Sequence, residues 1–317
     1  MVTPGGALRV AFFGTPDFAV PTLQTLIASR HDVCAVVSQP DRPKGRGHKL
    51  QPTPTKVAAL EHSVQVLQPL RIRDDEFLKT LEELTIDLGV VAAYGKILPD
   101  RLLAIPRLGM INVHASLLPE YRGAAPVHRA VIDGRTETGV TIMRIVRELD
   151  AGPMLKSARV PIGPDDTSPE VERVLADVGA PLLLSVVDEI SANAATEVPQ
   201  DDARATYAPK ITKAESAIDW SLPAARIHNL VRGLQPWPLV GISLGAARYL
   251  LHRTQLTGER TNALPGTVVA AAGDRLEIAA GDGERLRVLQ IQPEGRRAMS
   301  ARDFLAGHQI PPGARVS

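Results

Sequence analysis

Two polar side chains close an otherwise apolar stretch, MINVH, at residues 110–114. Asn112 and His114 stand two positions apart, and side chains two apart on a strand point to the same side. The amide and a protonated imidazole could together hold the oxyanion of a tetrahedral intermediate through their N–H groups. Asp150, which follows later in the chain, could orient the imidazole and favour its charged form.

A structural histidine is the alternative interpretation, since a hydrogen-bonded His114 at a strand end needs no catalytic partner. Other chemistries fit the surrounding sequence less well. Ser116 in HASLL does not lie in a GxSxG turn, and the first strand is followed by FFGTPDFA rather than GxGxxG. Near His114 only His128 could ligate a metal, without HExxH or paired-cysteine spacing, so we expect no metal.

Strands alternate with helices over about the first 150 residues, which predicts a doubly wound α/β domain. In such domains ligands bind beyond the carboxyl ends of the strands, where Asn112 and His114 fall. The predicted strands are 7–13, 32–38, 64–68, 87–93, 109–114 and 138–146, and the predicted helices are 20–27, 74–84 and 169–190.

A small, polar segment, SANAATEVPQDDARAT, separates two parts of the chain. Its composition is typical of a linker, which predicts a catalytic domain at 1–190, a linker at 191–206 and a second domain at 207–317. Short apolar runs between Gly, Asp and Pro predict a small β-barrel in the second domain.

The stretch QPDRPKGRGHKL at 39–50 is basic and interrupted by prolines and glycines, so we expect a loop. It is either a solvated face or a contact for a phosphate backbone. The net charge of +1 also conceals an asymmetry, since residues 1–206 carry −4 and residues 207–317 carry +5. This asymmetry is compatible with nucleic-acid binding by the second domain.

The apolar runs are far shorter than the roughly 20 residues that span a bilayer, so we expect no membrane span. The first residues show no secretory signal, and the single cysteine, Cys34, cannot form an internal disulfide. We expect a cytoplasmic protein, and no interface helix is evident, so we expect a monomer.

Longer motifs make the sequence recognisable. They are FFGTPDFA (12–19), QPDRPKGRGHKL (39–50), VVAAYGKILP (90–99), MINVHASLLPEYRGAAP (110–126), ETGVTIM (137–143), LDAGPM (149–154), YAPKITKAESAIDW (207–220) and PWP (236–238). Through them the chain resembles the methionyl-tRNA formyltransferase family over nearly its whole length.

The resemblance implies a Rossmann-like formyltransferase domain followed by an OB-like β-barrel. It implies that 10-formyltetrahydrofolate is the formyl donor and methionyl initiator tRNA the acceptor. The catalytic residues would be Asn112, His114 and Asp150. The tetrahydrofolate site would include Ser116, Leu117, Leu118 and Pro119, and the tRNA contacts would include Arg42, Lys44, Arg46, Lys49 and Lys210.

Two alternatives remain at this point. A related formyltransferase could act on a small amine, such as a nucleotide sugar or glycinamide ribonucleotide, although the basic stretch at 39–50 argues against it. A non-catalytic tRNA-binding relative would be expected to have lost Asn112, His114 or Asp150, and all three are present.

Overall fold

The computed structural model describes residues 5–44 and 49–317 of the chain. The chain divides into two compact units. The first comprises residues 1–124, 138–160 and 172–207, and the second comprises residues 125–137, 161–171 and 208–317.

Within the described part of the chain, ten strands precede the long sixth helix. They are β1 (Arg9–Gly14), β2 (Asp32–Val37), β3 (Arg42–Lys44), β4 (Lys49–Gln51), β5 (Val66–Leu67), β6 (Leu88–Ala92), β7 (Met110–His114), β8 (Arg122–Gly123), β9 (Glu137–Arg144) and β10 (Met154–Pro161). The α-helices are α1 (Val20–Ile27), α2 (Pro54–Glu61), α3 (Asp75–Glu83), α4 (Asp100–Leu103), α5 (Pro126–Ile132), α6 (Ser168–Ser191), α7 (Ala224–Gly233) and α8 (Ala301–Gly307).

A seven-stranded sheet in the order β10-β9-β7-β6-β1-β2-β5 forms the centre of the first unit. The five strands from β5 to β7 run parallel, which confirms the predicted Rossmann-like α/β arrangement. β9 pairs with β7 in the antiparallel direction, so the sheet is mixed at this edge. β1 and β6 are almost wholly buried, as expected for strands covered on both faces.

The basic stretch at 39–50 is not entirely a loop. β3 and β4 pair antiparallel, with Arg42 opposite Gln51, on either side of residues 45–48. Proline is tolerated in such an edge ladder because its missing N–H faces away from the partner strand. The sequence predicted a loop because prolines and glycines usually interrupt strands, whereas a short two-stranded ladder accommodates Pro43.

The second unit is built on an antiparallel sheet. Its strands are β12 (Val240–Leu244), β13 (Ala247–Arg260), β14 (Val268–Ala272), β15 (Arg275–Ala279), β16 (Glu284–Pro293) and β17 (Met299–Ser300), after the short β11 (Tyr207–Ala208). The sheet order is β12-β13-β16-β15-β14, with β17 paired to β16. Side chains such as Leu251, Ile278 and Val288 are fully buried in its core, together with Ile227 and Val231 of α7.

The compact units interleave along the chain. Residues 125–137 and 161–171 precede the predicted boundary but belong to the second unit, whereas residues 191–206 belong to the first. Residues 191–206 are tied down by hydrogen bonds, for example between the backbones of Val198 and Met154. The functional boundaries at 190 and 207 therefore stay a prediction.

One buried carboxylate of the second unit, Glu277, is paired with arginines of its sheet. Its side chain is fully buried, and it accepts hydrogen bonds from Arg275 at 2.9 Å and Arg287 at 2.9 Å. Burial alone would raise the pKa of Glu277, but these arginines outweigh it and hold the pKa below 4.5.

We expect Glu277→Gln to lower the free energy of unfolding of this unit by about 2 kcal/mol at pH 7, since a charged hydrogen-bond acceptor is lost. A lowered native pKa stabilises the fold above pH 4.5, and that stabilisation is lost as the pH falls through the native pKa. The difference between wild type and Glu277→Gln should therefore shrink at low pH.

Urea unfolding followed by tryptophan fluorescence measures this directly, because both tryptophans, Trp220 and Trp237, lie in the second unit. The exposed Glu294 offers a matched control in Glu294→Gln. A pH-independent difference, or an equal loss in the control, would contradict the proposed role of Glu277.

Candidate active site

Asn112 and His114 lie on β7, and their side chains leave the strand on the same side, as the spacing predicts. β7 lies between β6 and β9, so both residues are held by hydrogen-bonded neighbours. Asn112 is half-buried, and its amide makes no side-chain hydrogen bond within the part of the chain that the structure describes. The amide is therefore available to a ligand.

His114 is buried, with 5% of its surface exposed. Its Nε2 lies 3.0 Å from the carbonyl oxygen of Tyr121. A carbonyl oxygen can only accept a hydrogen bond, so Nε2 must carry a proton. The other ring nitrogen, Nδ1, lies 3.8 Å from Oδ2 of Asp150. Nδ1 is thus the ring nitrogen that faces the carboxylate and is free to act on a substrate.

Asp150 lies in the turn between β9 and β10 in a left-handed conformation, with φ of 49°. Its Oδ2 accepts a hydrogen bond of 2.9 Å from the backbone N–H of Gly123. At Gly152, a Cβ atom would overlap the carbonyl oxygen of Arg144, so only glycine fits there. The DxG pattern therefore combines a carboxylate with a turn that no other residue type could close.

Sequence reasoning missed Gln200, which contacts this turn, and Arg122, which holds Gln200. Gln200 donates hydrogen bonds from Nε2 to the carbonyl oxygens of Asp150, at 2.8 Å, and Gly152, at 2.7 Å. Arg122 in turn donates to Oε1 of Gln200. Arg122 was visible only as part of the RGAAP motif, and no signal singled out Gln200 within the polar segment.

The SLLP segment forms a tightly held turn after β7. Ser116 is buried, and its hydroxyl donates to the carbonyl oxygen of Glu120 at 2.6 Å. The hydroxyl of Thr141 donates to the carbonyl oxygen of Ser116 at 2.7 Å and accepts from the N–H of Leu118 at 3.2 Å. Leu118 and Pro119 are buried as well. Leu117 is therefore the most exposed of the four predicted folate contacts.

A cavity of about 900 Å³ opens in the first unit beyond the ends of β1 and β6. Thr15 and Tyr94 contribute to its lining, and each follows one of these strands. The strand order reverses on either side of β1, which is where ligands bind in such sheets. Asn112 and His114 are not part of this lining, so the cavity and the polar pair are separate features.

Four of the five predicted tRNA contacts lie within the described residues. Arg42 is exposed on β3, and Lys44 and Lys49 lie on β3 and β4. Arg46 lies outside the described residues. Lys210 is exposed in the second unit.

Asp41 fixes the first residues of the basic segment at 39–50. Its carboxylate accepts hydrogen bonds from Gln68 at 2.7 Å and from Lys56 at 2.6 Å. These two partners lower the pKa of Asp41 below 3.8, so the carboxylate stays ionised at neutral pH. The start of the segment is thereby fixed to α2 and to the chain after β5.

No cluster of three or more His, Cys, Asp and Glu side chains suited to a metal ion occurs among residues 5–44 and 49–317. Within the same residues, no helix has the length and apolar character needed to cross a membrane.

Comparison with known proteins identifies the family. Residues 8–187 match the formyl transferase family, and residues 210–309 match the formyl transferase C-terminal domain. The methionyl-tRNA formyltransferase of Methylococcus capsulatus is 45% identical over 303 residues, covering 96% of this chain and 98% of that protein. The methionyl-tRNA formyltransferase of Geobacter metallireducens is 45% identical over 309 residues, covering 98% of each chain.

Solved structures share the fold at low identity. The sugar 3N-formyl transferase WlaRD, crystallised with dTDP and 5-N-formyl-THF, has a TM-score of 0.68 at 17% identity and covers 92% of this chain and 99% of that one. The N-formyltransferase of Helicobacter canadensis has a TM-score of 0.68 at 18% identity and covers 90% of this chain and 99% of that one. With near-complete coverage by relatives at 45% identity, the chain belongs to the methionyl-tRNA formyltransferase family.

Proposed function

We propose that this protein transfers the formyl group of 10-formyltetrahydrofolate to the α-amino group of methionine on initiator tRNA. The observation that carries this proposal is the pairing of a free Asn112 amide with His114, whose Nδ1 faces Asp150 across 3.8 Å. That separation is too long for a direct hydrogen bond. It leaves Nδ1 able to donate to a substrate oxygen.

In the proposed reaction the neutral amine adds to the formyl carbon and gives a tetrahedral intermediate. Asn112 and protonated His114 donate hydrogen bonds to the developing oxyanion, with Nδ1 as the donating ring nitrogen. Asp150 stabilises the charged imidazole and accepts the proton of the amine, through a water molecule. The bond between the formyl carbon and N10 then breaks as the carbonyl re-forms. The proton that Asp150 took from the amine passes through the water molecule to N10, so tetrahydrofolate leaves with that proton and the carboxylate is restored.

The folate is proposed to bind beside Ser116, Leu117, Leu118 and Pro119. The hydrogen bonds from Thr141 hold this turn rigid, which suits a binding surface that must place the formyl carbon near His114. Since Ser116 uses its hydroxyl within the turn, we propose that contacts from this segment come from the backbone and from Leu117.

The acceptor is proposed to be held by Arg42, Lys44, Arg46, Lys49 and Lys210. The basic character of residues 39–50 and of the second unit supports a phosphate-backbone partner over a small amine. We further propose an OB-like barrel for the second unit, and that the enzyme acts as a cytoplasmic monomer.

Arg46→Ala should weaken tRNA binding and reduce the slope of log affinity against log salt by about one, because one phosphate contact is lost. Binding titrations at several salt concentrations measure both quantities. Arg173, exposed on α6, provides the control Arg173→Ala. If Arg46→Ala bound tRNA with unchanged affinity and slope, the role given to this segment would be wrong.

An acceptor panel tests the proposal against its alternatives. Purified enzyme and 10-formyltetrahydrofolate are offered methionyl initiator tRNA, an amino-sugar nucleotide and glycinamide ribonucleotide in parallel. We expect formylation of the tRNA alone. Preferred formylation of a small amine, or tRNA binding without any formylation, would replace the proposal with one of the alternatives.

A further inference from the structure

Gln200 contacts the turn that carries Asp150 on both sides of Ala151. The two hydrogens of its side-chain amide are both used, since Nε2 donates to the carbonyl oxygens of Asp150 and Gly152. These two hydrogen bonds hold the Asp150–Ala151 and Gly152–Pro153 peptide units of the turn. The clamp comes from residues 191–206, outside the strands that build the site.

Arg122 fixes the orientation of the Gln200 amide. Only 4% of Arg122 is exposed, and its Nε and Nη2 donate to Oε1 of Gln200 at 3.0 and 2.9 Å. Nη2 also donates to Asp202 at 2.7 Å. A guanidinium only donates and backbone carbonyls only accept, so the amide oxygen must face Arg122 and the amide nitrogen must face the turn.

The clamped turn determines where the Asp150 carboxylate lies. Asp150 has a left-handed backbone that costs free energy, and such a conformation persists only when its surroundings enforce it. Its carboxylate lies 3.8 Å from Nδ1 of His114, so a small displacement of the turn changes the field at the imidazole.

We propose that Gln200 is a positioning residue for formyl transfer, which holds the Asp150 turn so that the carboxylate stays opposite His114. It touches no reacting atom and acts only through the backbone of residues 150–152. The proposal rests on the function proposed above for Asp150 and His114. Arg122 supports Gln200 by fixing its amide.

Two substitutions of Gln200 test whether it positions the Asp150 turn or only stabilises the fold. Gln200→Glu keeps an acceptor for Arg122 but loses both donors to the turn, whereas Gln200→Leu loses all of these contacts. Both should lower kcat by about 10- to 100-fold with little change in either KM, since a misplacement of about 1 Å can have such an effect. The exposed Gln65 provides the control Gln65→Leu, which should retain the wild-type kcat. A wild-type kcat in folded Gln200→Glu would overturn the proposal.

A double substitution tests the route of the effect. If Gln200 acts through the Asp150 carboxylate, then Gln200→Leu should lower kcat little further in an Asp150→Asn background. If the double variant instead showed the product of the two single-variant reductions in kcat, the two residues would act independently. That result would contradict the proposal.

A measurement without substrates separates this proposal from the proposed function. The ¹⁵N imidazole resonances of His114 should shift in Gln200→Leu, in the same direction as in Asp150→Asn, and stay unchanged in Gln65→Leu. Shifted resonances in a protein that cannot formylate tRNA would support the positioning and remove only the proposed function. Wild-type resonances in Gln200→Leu would overturn the positioning, whatever the activity.

Discussion

Replacement of His114 by alanine is expected to lower kcat for formyl transfer by about 10²- to 10⁴-fold, because an oxyanion donor and a charged acid–base group are lost together. Affinity for tRNA should change little, since the buried imidazole lies at the end of β7 and not in the basic segment. Single-turnover formylation and a separate tRNA-binding titration measure the two effects.

The exposed His62 at the end of α2 offers a matched control, and His62→Ala should retain wild-type turnover. His114→Gln adds a second comparison, because a glutamine amide can donate a hydrogen bond but cannot carry a positive charge. A near-normal rate in folded His114→Ala would mean that His114 is a structural histidine.

Asp150→Asn is expected to lower kcat by a similar factor, on the order of 10²–10⁴, since the carboxylate proposed to stabilise the charged imidazole and to accept the amine proton is lost. The substitution removes the negative charge but keeps an oxygen that can accept from the N–H of Gly123, so the turn should remain in place. The effect should therefore fall on kcat and leave the KM for folate and the KM for tRNA nearly unchanged.

Asp177 is exposed on α6 and provides the control Asp177→Asn. If Asp150→Asn kept the wild-type kcat, the charge of Asp150 would have no part in the reaction. A large rise in the KM for folate with an unchanged kcat would instead assign Asp150 to binding.

The position of Asn112 and His114, the proposed catalytic pair, could be predicted because the information is local. Apolar runs predicted the buried parallel strands, and a spacing of two placed Asn112 and His114 on the same side of β7. The sequence also suggested Asp150 as a partner of His114, and its carboxylate lies 3.8 Å from the imidazole.

The support of the site could not be predicted, because it depends on contacts between residues far apart in sequence. The hydrogen bond from His114 to the Tyr121 carbonyl occupies Nε2 and leaves Nδ1 facing Asp150, and no sequence pattern reports it. Polar residues that bond to a distant backbone have the composition of a linker, so Gln200 was hidden in a segment that predicted one. That residues 125–137 and 161–171 belong to the second unit could not be predicted either, because this assignment depends on contacts with residues far along the chain.

The claim that this protein formylates methionyl initiator tRNA is tested by offering that tRNA to the purified protein together with 10-formyltetrahydrofolate. Mass spectrometry of the aminoacyl group and absorbance of the released tetrahydrofolate are followed together, with methionyl elongator tRNA as the comparison. We predict one tetrahydrofolate released for each N-formylmethionine formed, and a clear preference for the initiator tRNA. Tetrahydrofolate release without N-formylmethionine, or no reaction with methionyl-tRNA, would contradict the claim.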